Sequence, residues 1–242
     1  MTDTRLAIIV LAAGQGTRMK SATPKLLHEI AGVPLIGHVL ATAGELDAAY
    51  TVSVVRHERD SVVEVIADHF PSSIIVDQDE VAGTGRAVEQ ALEGLPADFD
   101  GDVLVVSGDV PLLDAATLNG LIAEHRATGA SATLLSALLD DPAGYGRIVR
   151  TGDGMLDRIV EHKDATDSEL ALHEINAGVY VFGLAELRDQ LARVTTANAQ
   201  GEKYLTDVIG LLRRAGSDVA AVSVREPWLV AGVNDRDRKS VV

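Results

Sequence analysis

Apolar residues recur in short, dense runs along the chain, and the stretches between the runs carry apolar positions three and four apart. The runs predict strands at Leu6–Leu11, Thr51–Val55, Ile74–Val76, Val103–Val106, Ser131–Leu138, Gly178–Phe182 and Val219–Val224. The amphipathic stretches Leu35–Leu46, Arg59–His69, Arg86–Leu92, Ala115–Arg126 and Leu205–Arg214 predict helices. A strand that is apolar at every position has no face for water, so both of its faces must be covered. Such strands alternating with helices imply a doubly wound, mostly parallel (Rossmann-like) α/β sheet. A sheet of that kind places its ligands outside the carboxyl ends of the strands. The pattern loosens after Leu139, where glycine, charge and short strands dominate as far as Asp167. A smaller inserted lobe facing the substrate is expected there.

Composition narrows this picture. With 242 residues, 47% of them hydrophobic, the chain can bury a full core. Aromatic residues make up only 3%, so Ala, Val, Leu and Ile must fill that core. A net charge of −15 argues against a nucleic-acid or membrane-surface partner, because phosphate backbones require a basic face. The absence of cysteine excludes disulfides and thiolate chemistry. The N-terminus, with Asp3 and a short apolar run, reads neither as a secretory signal nor as a spanning segment. A cytoplasmic location is therefore expected. The seven histidines show no metal-ligand spacing.

Against this acidic background the stretch "LAAGQGTRMKSATPK", residues 11–25, collects glycines and cations directly behind the first strand. Gly14 and Gly16 let backbone N–H groups approach an anion. Arg18 offers a planar fork for phosphate oxygens, Lys25 a mobile point charge, and Pro24 stiffens the approach to Lys25. Two standard phosphate motifs fail: G-x-G-x-x-G meets Met19 where its third glycine belongs, and the P-loop pattern is absent. The alternative is a surface turn whose cations are merely solvated.

The stretch "LAAGQGTRM" followed by "PK" resembles the signature of sugar-phosphate nucleotidyltransferases. The blocks "AGTGRA" (82–87), "SGDVPLL" (107–113), "GYGRI" (144–148), "VEHKDAT" (160–166), "EINAGVYVF" (174–182), "NAQGEKYLTD" (198–207) and "VAGVND" (230–235) then follow in order. Together they resemble the uridyltransferase domain of the bacterial bifunctional N-acetylglucosamine-1-phosphate uridyltransferase/glucosamine-1-phosphate acetyltransferases, over about residues 5–236. The resemblance implies a Mg²⁺-dependent reaction of UTP with N-acetylglucosamine 1-phosphate that yields UDP-N-acetylglucosamine and pyrophosphate. It implies a single domain at 1–236, with a nucleotide lobe mainly at 1–138, sugar-lobe elements mainly at 139–225, and a tail at 237–242. The acetyl-transferring, trimer-forming repeats of that family are not found in this sequence, so no acetyltransferase activity and a monomer are expected. Rival readings are the same chemistry on another sugar 1-phosphate, with dTTP or UTP, and a non-catalytic nucleotide-sugar sensor.

The attacking sugar phosphate is already anionic, so the reaction needs positioning and charge neutralisation rather than a protein base. By resemblance, Leu11, Ala13 and Gly14 line the nucleotide, and Arg18 and Lys25 stabilise charge on the phosphates. Gln78, Gly83 and Thr84 are assigned to uracil; Thr84 could instead cap the helix it precedes. Gly146, Glu161, Asn176 and Thr206 are assigned to the sugar, although Glu161 reads equally as a solvated charge beside His162 and Lys163. Asp109 sits beyond the strand "VLVV", where a carboxylate can hold Mg²⁺ or simply make a turn. On spacing alone Asn234 or Asp235 could be the second metal ligand; the resemblance favours Asn234. The chain departs from the family at Val81, at Arg86 (commonly histidine), at Ser107 and at Lys203 (commonly tyrosine).

Overall fold

The computed structural model describes residues 5–16 and 19–233. In chain order the elements are β1 (Leu6–Ala12), β2 (Glu29–Ile30), β3 (Val33–Pro34), α1 (Leu35–Gly44), β4 (Tyr50–Val55), α2 (Arg59–His69), β5 (Ile74–Asp77), α3 (Thr84–Glu93), β6 (Asp102–Ser107), α4 (Ala115–Thr128), β7 (Ala132–Leu138), β8 (Arg147–Arg150), β9 (Leu156–Val160), α5 (Asp167–Leu170), β10 (Glu174–Gly183), α6 (Leu184–Leu191), α7 (Asp207–Arg214) and β11 (Val219–Ser223).

The main sheet runs β11-β7-β10-β6-β1-β4-β5. β6, β1, β4 and β5 are mutually parallel, as are β7 and β11. Only β10 runs against its neighbours on this path. The doubly wound, mostly parallel α/β fold expected from the apolar runs is thus present, with one reversed strand that the runs did not reveal. Alternation along β1 shows why both faces are covered. Ala7 and Ile9 enter a core shared with α3, α6 and α7, whereas Leu6, Ile8 and Val10 enter a core shared with α1, α2 and α4. Local signals fix the helix ends. Asp114 accepts a hydrogen bond from the Thr117 amide at 2.7 Å to start α4, and Gly129, at φ 65°, ends it.

In the looser stretch after Leu139, β8 and β9 form an antiparallel hairpin beside the first half of β10. That strand is longer than predicted, and its register shifts between Asn176 and Tyr180. Gly178, at φ +73°, supplies the left-handed backbone of the shift. Helix α6, which follows β10 directly, was not predicted. Among the described residues no helix is long and apolar enough to cross a membrane.

Candidate active site

The parallel strands end together. Leu11 is level with Ser107, Ala12 with Val55, and Val55 with Asp77, so the residues that follow β1, β4, β5 and β6 emerge along one edge. A cleft of about 250 Å³ opens there, lined by Leu11, Ala13, Gly14, Gln78, Gly83 and Thr84, all assigned to the nucleotide above. Gln15, Arg56, His57, Ala82, Ala87 and Glu202 complete its wall. A second cleft, also about 250 Å³, runs along Gln15, Gly16 and residues 20–25 and shares His57. Arg56 and His57 follow β4 as a cation and an imidazole behind an apolar run, an arrangement close to that of the opening loop, and sequence reasoning missed them. Nothing local in the sequence signals Glu202.

Gly14 and Gly83 serve different ends. A Cβ on Gly14 would meet nothing within 4 Å. At Gly83, with φ +116°, it would lie 2.3 Å from the Lys203 carbonyl oxygen. Gly83 is therefore required by packing, and Gly14 is not. Gln78 anchors its loop: its amide donates to the Val81 and Gly83 carbonyls, each at 3.0 Å. Its Oε1 accepts no hydrogen bond from the described residues. Thr84 does not cap α3, because Gly83 holds the N-cap position and makes no side-chain cap. The Thr84 hydroxyl instead accepts from the Leu205 amide at 3.1 Å.

Lys25 opens a short 3-10 turn anchored by buried Leu26. Its ammonium forms an ion pair with Asp109, which follows β6. Burial works against the Asp109 charge, but Lys25 and the Ser107 hydroxyl outweigh it and hold the carboxyl below its ordinary range. The Val233 amide donates to the Asp109 carbonyl at 2.9 Å, which brings the chain back to Asp109 immediately before Asn234. Arg18 and Asn234 themselves lie outside the described residues.

The sugar-side residues gather where β8, β9 and β10 meet the segment before α7. The Asn176 amide N–H donates to the Gly146 carbonyl at 2.9 Å, and its side chain donates to the Tyr180 hydroxyl at 2.6 Å. Thr206 donates to Glu161 at 2.9 Å. Glu161 is thus no solvated charge. Burial pushes its carboxyl above the ordinary range; Thr206 opposes the rise, and Asp207, Asp164 and Glu202 add to it. Thr206 and Asn176 are both buried. One segment links this cluster to the first cleft: Glu202 lines the cleft, and Thr206, four residues on, reaches Glu161.

The MobA-like NTP transferase domain matches residues 8–209. The bifunctional protein GlmU of Leifsonia xyli subsp. xyli is 69% identical over 240 residues, covering 99% of this chain and 49% of that protein. The bifunctional protein GlmU of Clavibacter sepedonicus is 58% identical over 231 residues, covering 96% of this chain and 47% of that protein. The chain spans about half the length of the curated relatives it matches. These matches bear out the resemblance read from the ordered motifs. Among solved structures, a Bacillus anthracis protein assigned as a glucose-1-phosphate thymidylyltransferase, in complex with sucrose, superposes with a TM-score of 0.75 at 17% identity, covering 98% of this chain and 94% of that one. A UDP-glucose pyrophosphorylase complexed with UDP-glucose superposes with a TM-score of 0.69 at 16% identity, covering 89% of each chain. At such identities the likeness is one of fold.

Proposed function

The chain belongs to the MobA-like NTP transferase family, and on that premise we propose that it transfers the uridylyl group of UTP to N-acetylglucosamine 1-phosphate. A phosphate oxygen of the sugar phosphate attacks the α-phosphorus of UTP. The bond from that phosphorus to the α–β bridging oxygen breaks, pyrophosphate leaves, and UDP-N-acetylglucosamine remains. The observation that carries this reading is convergence: the cleft bounded by Leu11, Gln78 and Thr84, the Lys25–Asp109 pair and the Glu161–Thr206 pair are brought together by the strand ends and residues 202–206.

In this reading Oε1 of Gln78 accepts the uracil imide N–H, and backbone at Gly83 meets the base edge. Leu11, Ala13 and Gly14 lie along the nucleotide, with Gly14 leaving room for a phosphate to approach the backbone. Lys25 and Arg18 neutralise the charge that passes to the pyrophosphate. Glu161 accepts from a sugar hydroxyl, Asn176 and Thr206 orient the ring, and backbone at Gly146 meets the N-acetyl group. Burial of this cluster excludes water, which would otherwise compete as the attacking group.

The donors suit Mg²⁺: Asp109 offers a hard carboxylate oxygen, and the chain returns to it just before the amide of Asn234. When bound there, Mg²⁺ would supply charge neutralisation on the triphosphate, completing its shell from phosphate oxygens and water. The test is pyrophosphate release from UTP and N-acetylglucosamine 1-phosphate, with Mg²⁺ or with EDTA, beside glucose 1-phosphate and dTTP. Metal-dependent release confined to the first pair is expected. Release with a different pair would reassign the substrate, and no release with any pair would overturn the catalytic reading.

A further inference from the structure

Two cations far apart in sequence, Arg86 and Lys203, meet on one carboxylate. Lys203 pairs with Oε1 of Glu89, and Arg86 donates to Oε2 of Glu89 at 3.2 Å. Arg86 also grips Asp79, with Nε at 3.0 Å and Nη2 at 2.5 Å from Oδ2. The result is a continuous chain of charges, Lys203–Glu89–Arg86–Asp79, from the segment before α7 to the loop that carries Gln78. The Lys203 and Glu89 side chains are 13% and 19% exposed, so this pair is screened less than an ordinary surface pair.

Backbone bonds run beside it. Lys203 donates to the Ala82 carbonyl at 2.8 Å, and its own carbonyl accepts from Gly85 at 2.7 Å. Leu205 donates to the Thr84 hydroxyl. One residue further on, Thr206 holds Glu161. At the other end the Asp79 amide donates to Gln90 at 2.9 Å, and Oδ1 of Asp79 accepts from Val81 at 3.0 Å. The same contacts that shape the nucleotide loop therefore fix the backbone from which Thr206 reaches the sugar side.

We propose that the Lys203–Glu89–Arg86–Asp79 chain couples the two halves of the site, so that nucleotide held by the 78–84 loop sets the 203–206 segment for the sugar phosphate. Lys203 and Glu89 are positioning residues in this scheme and touch neither substrate. The coupling is reciprocal, since sugar phosphate bound beside Thr206 must tighten nucleotide binding by the same factor. This inference rests on the uridylyl-transfer reading for the identity of its ligands.

The test compares wild type with Lys203→Met, Glu89→Gln and Lys203→Arg, and with Arg193→Met as a control that removes an exposed ion pair to Asp189. Lys203→Met and Glu89→Gln should each raise the KM for N-acetylglucosamine 1-phosphate about tenfold, with UTP binding measured alone changed less than about twofold. The double variant should add little to either single one, Lys203→Arg should recover most of the effect, and Arg193→Met should behave as wild type. Amide hydrogen exchange supplies a readout that needs no turnover. UTP should slow exchange at both 82–86 and 203–206 in wild type, but only at 82–86 in Lys203→Met. An unchanged sugar-phosphate KM in the folded variants overturns the proposal. So does equal slowing at 203–206 in wild type and Lys203→Met, or none in wild type. If the wild type turns over no substrate pair, the functional reading falls and the exchange result alone decides the coupling.

Discussion

The Lys25 ammonium pairs with the Asp109 carboxylate across 84 positions of sequence, with side chains only 12% and 15% exposed. One residue comes from the loop behind β1 and the other from the turn behind β6, adjacent strands of the sheet. The pair thus ties together the two strand ends between which the proposed triphosphate path lies. It also balances charge where an acidic protein would otherwise repel a polyphosphate.

Removing Lys25 should expose both roles. Lys25→Met leaves the Asp109 carboxylate in a nearly buried position without its strongest favourable interaction. A loss of stability of about 2 kcal/mol is expected, read from the urea midpoint. Pyrophosphate release should fall at least about a hundredfold, because a preorganised cation is lost from the path of the leaving group. Asp109→Asn should abolish most of the metal-dependent rate at a smaller stability cost, since the amide keeps a neutral hydrogen-bonding group in place. Near-normal turnover in both variants would leave the pair a structural feature only.

The two glycines of the cleft give a contrast between fold and ligand. Gly83→Ala places a Cβ against the Lys203 backbone at a φ that L residues avoid, and about 3 kcal/mol of stability should be lost. Gly14→Ala meets open space, so thermal stability should change by less than about 0.5 kcal/mol. UTP affinity should nevertheless fall about tenfold or more, because the added methyl group occupies the room that a phosphate needs. Undiminished UTP binding by Gly14→Ala would place the phosphates elsewhere.

That contrast also marks how far the sequence could be read. The strands β1, β4 and β6 were legible because β1 is apolar throughout, β6 is apolar from Val103 to Val106, and β4 is β-branched and apolar apart from Tyr50, Thr51 and Ser53. The opening loop stood out as a candidate phosphate site because its glycines and cations lie close together in sequence. The start of β10 was not, because Glu174 and Asn176 interrupt its apolar pattern and Gly178 looks like a strand end, although it is the pivot of a register shift. The strands β8 and β9 mix arginine and aspartate with apolar residues, which blurs any period of two. Helix α6 is eight residues long and begins directly at the end of β10. Thr84 was read as a helix cap or a base contact, and its bond to Leu205 could not be seen because the partner lies 121 positions away. Local chemistry is legible in a sequence; a contact that depends on how distant elements return to one another is not.

A pH effect on folding follows from Glu174. Its hydrogen bonds from Arg150, at 2.8 and 2.7 Å, hold its carboxyl below the ordinary range; burial opposes the shift and Ser136 adds to it. A group with a depressed folded pKa contributes stability above its unfolded pKa and loses that contribution as pH falls through the folded value. The wild type should therefore lose stability on acidification below about pH 4.3, the unperturbed glutamate value. Glu174→Gln should be less stable than wild type at pH 7, with the gap closing in acid. Urea titrations at pH 7 and in steps below pH 5 check this, and parallel curves for the two proteins at every pH would remove Glu174 from the account.

Glu161 has the opposite sign. Its folded pKa is raised, chiefly by burial, with the carboxylates of Asp207, Asp164 and Glu202 adding to the rise. A carboxyl raised in the folded state costs nothing while protonated in both states. Its cost appears as pH rises above the unfolded value and is complete once the folded group has ionised. At pH 7, above the unfolded value, the protein therefore carries a cost for burying this carboxyl, which the Thr206 hydroxyl offsets in part. Glu161→Gln keeps an acceptor for Thr206 and removes the charge, so stability at pH 7 should rise by about 1 kcal/mol, with the gain fading in acid. Function should move the other way. An amide accepts a sugar hydroxyl less strongly than a carboxylate does, and the KM for the sugar phosphate should rise about tenfold or more while UTP binding alone is unchanged. Urea midpoints at pH 7 and pH 4, set beside the two substrate affinities, test both halves. A stabilised variant with full sugar-phosphate affinity would remove Glu161 from the sugar site, and a destabilised one would show that Thr206 more than compensates the buried charge.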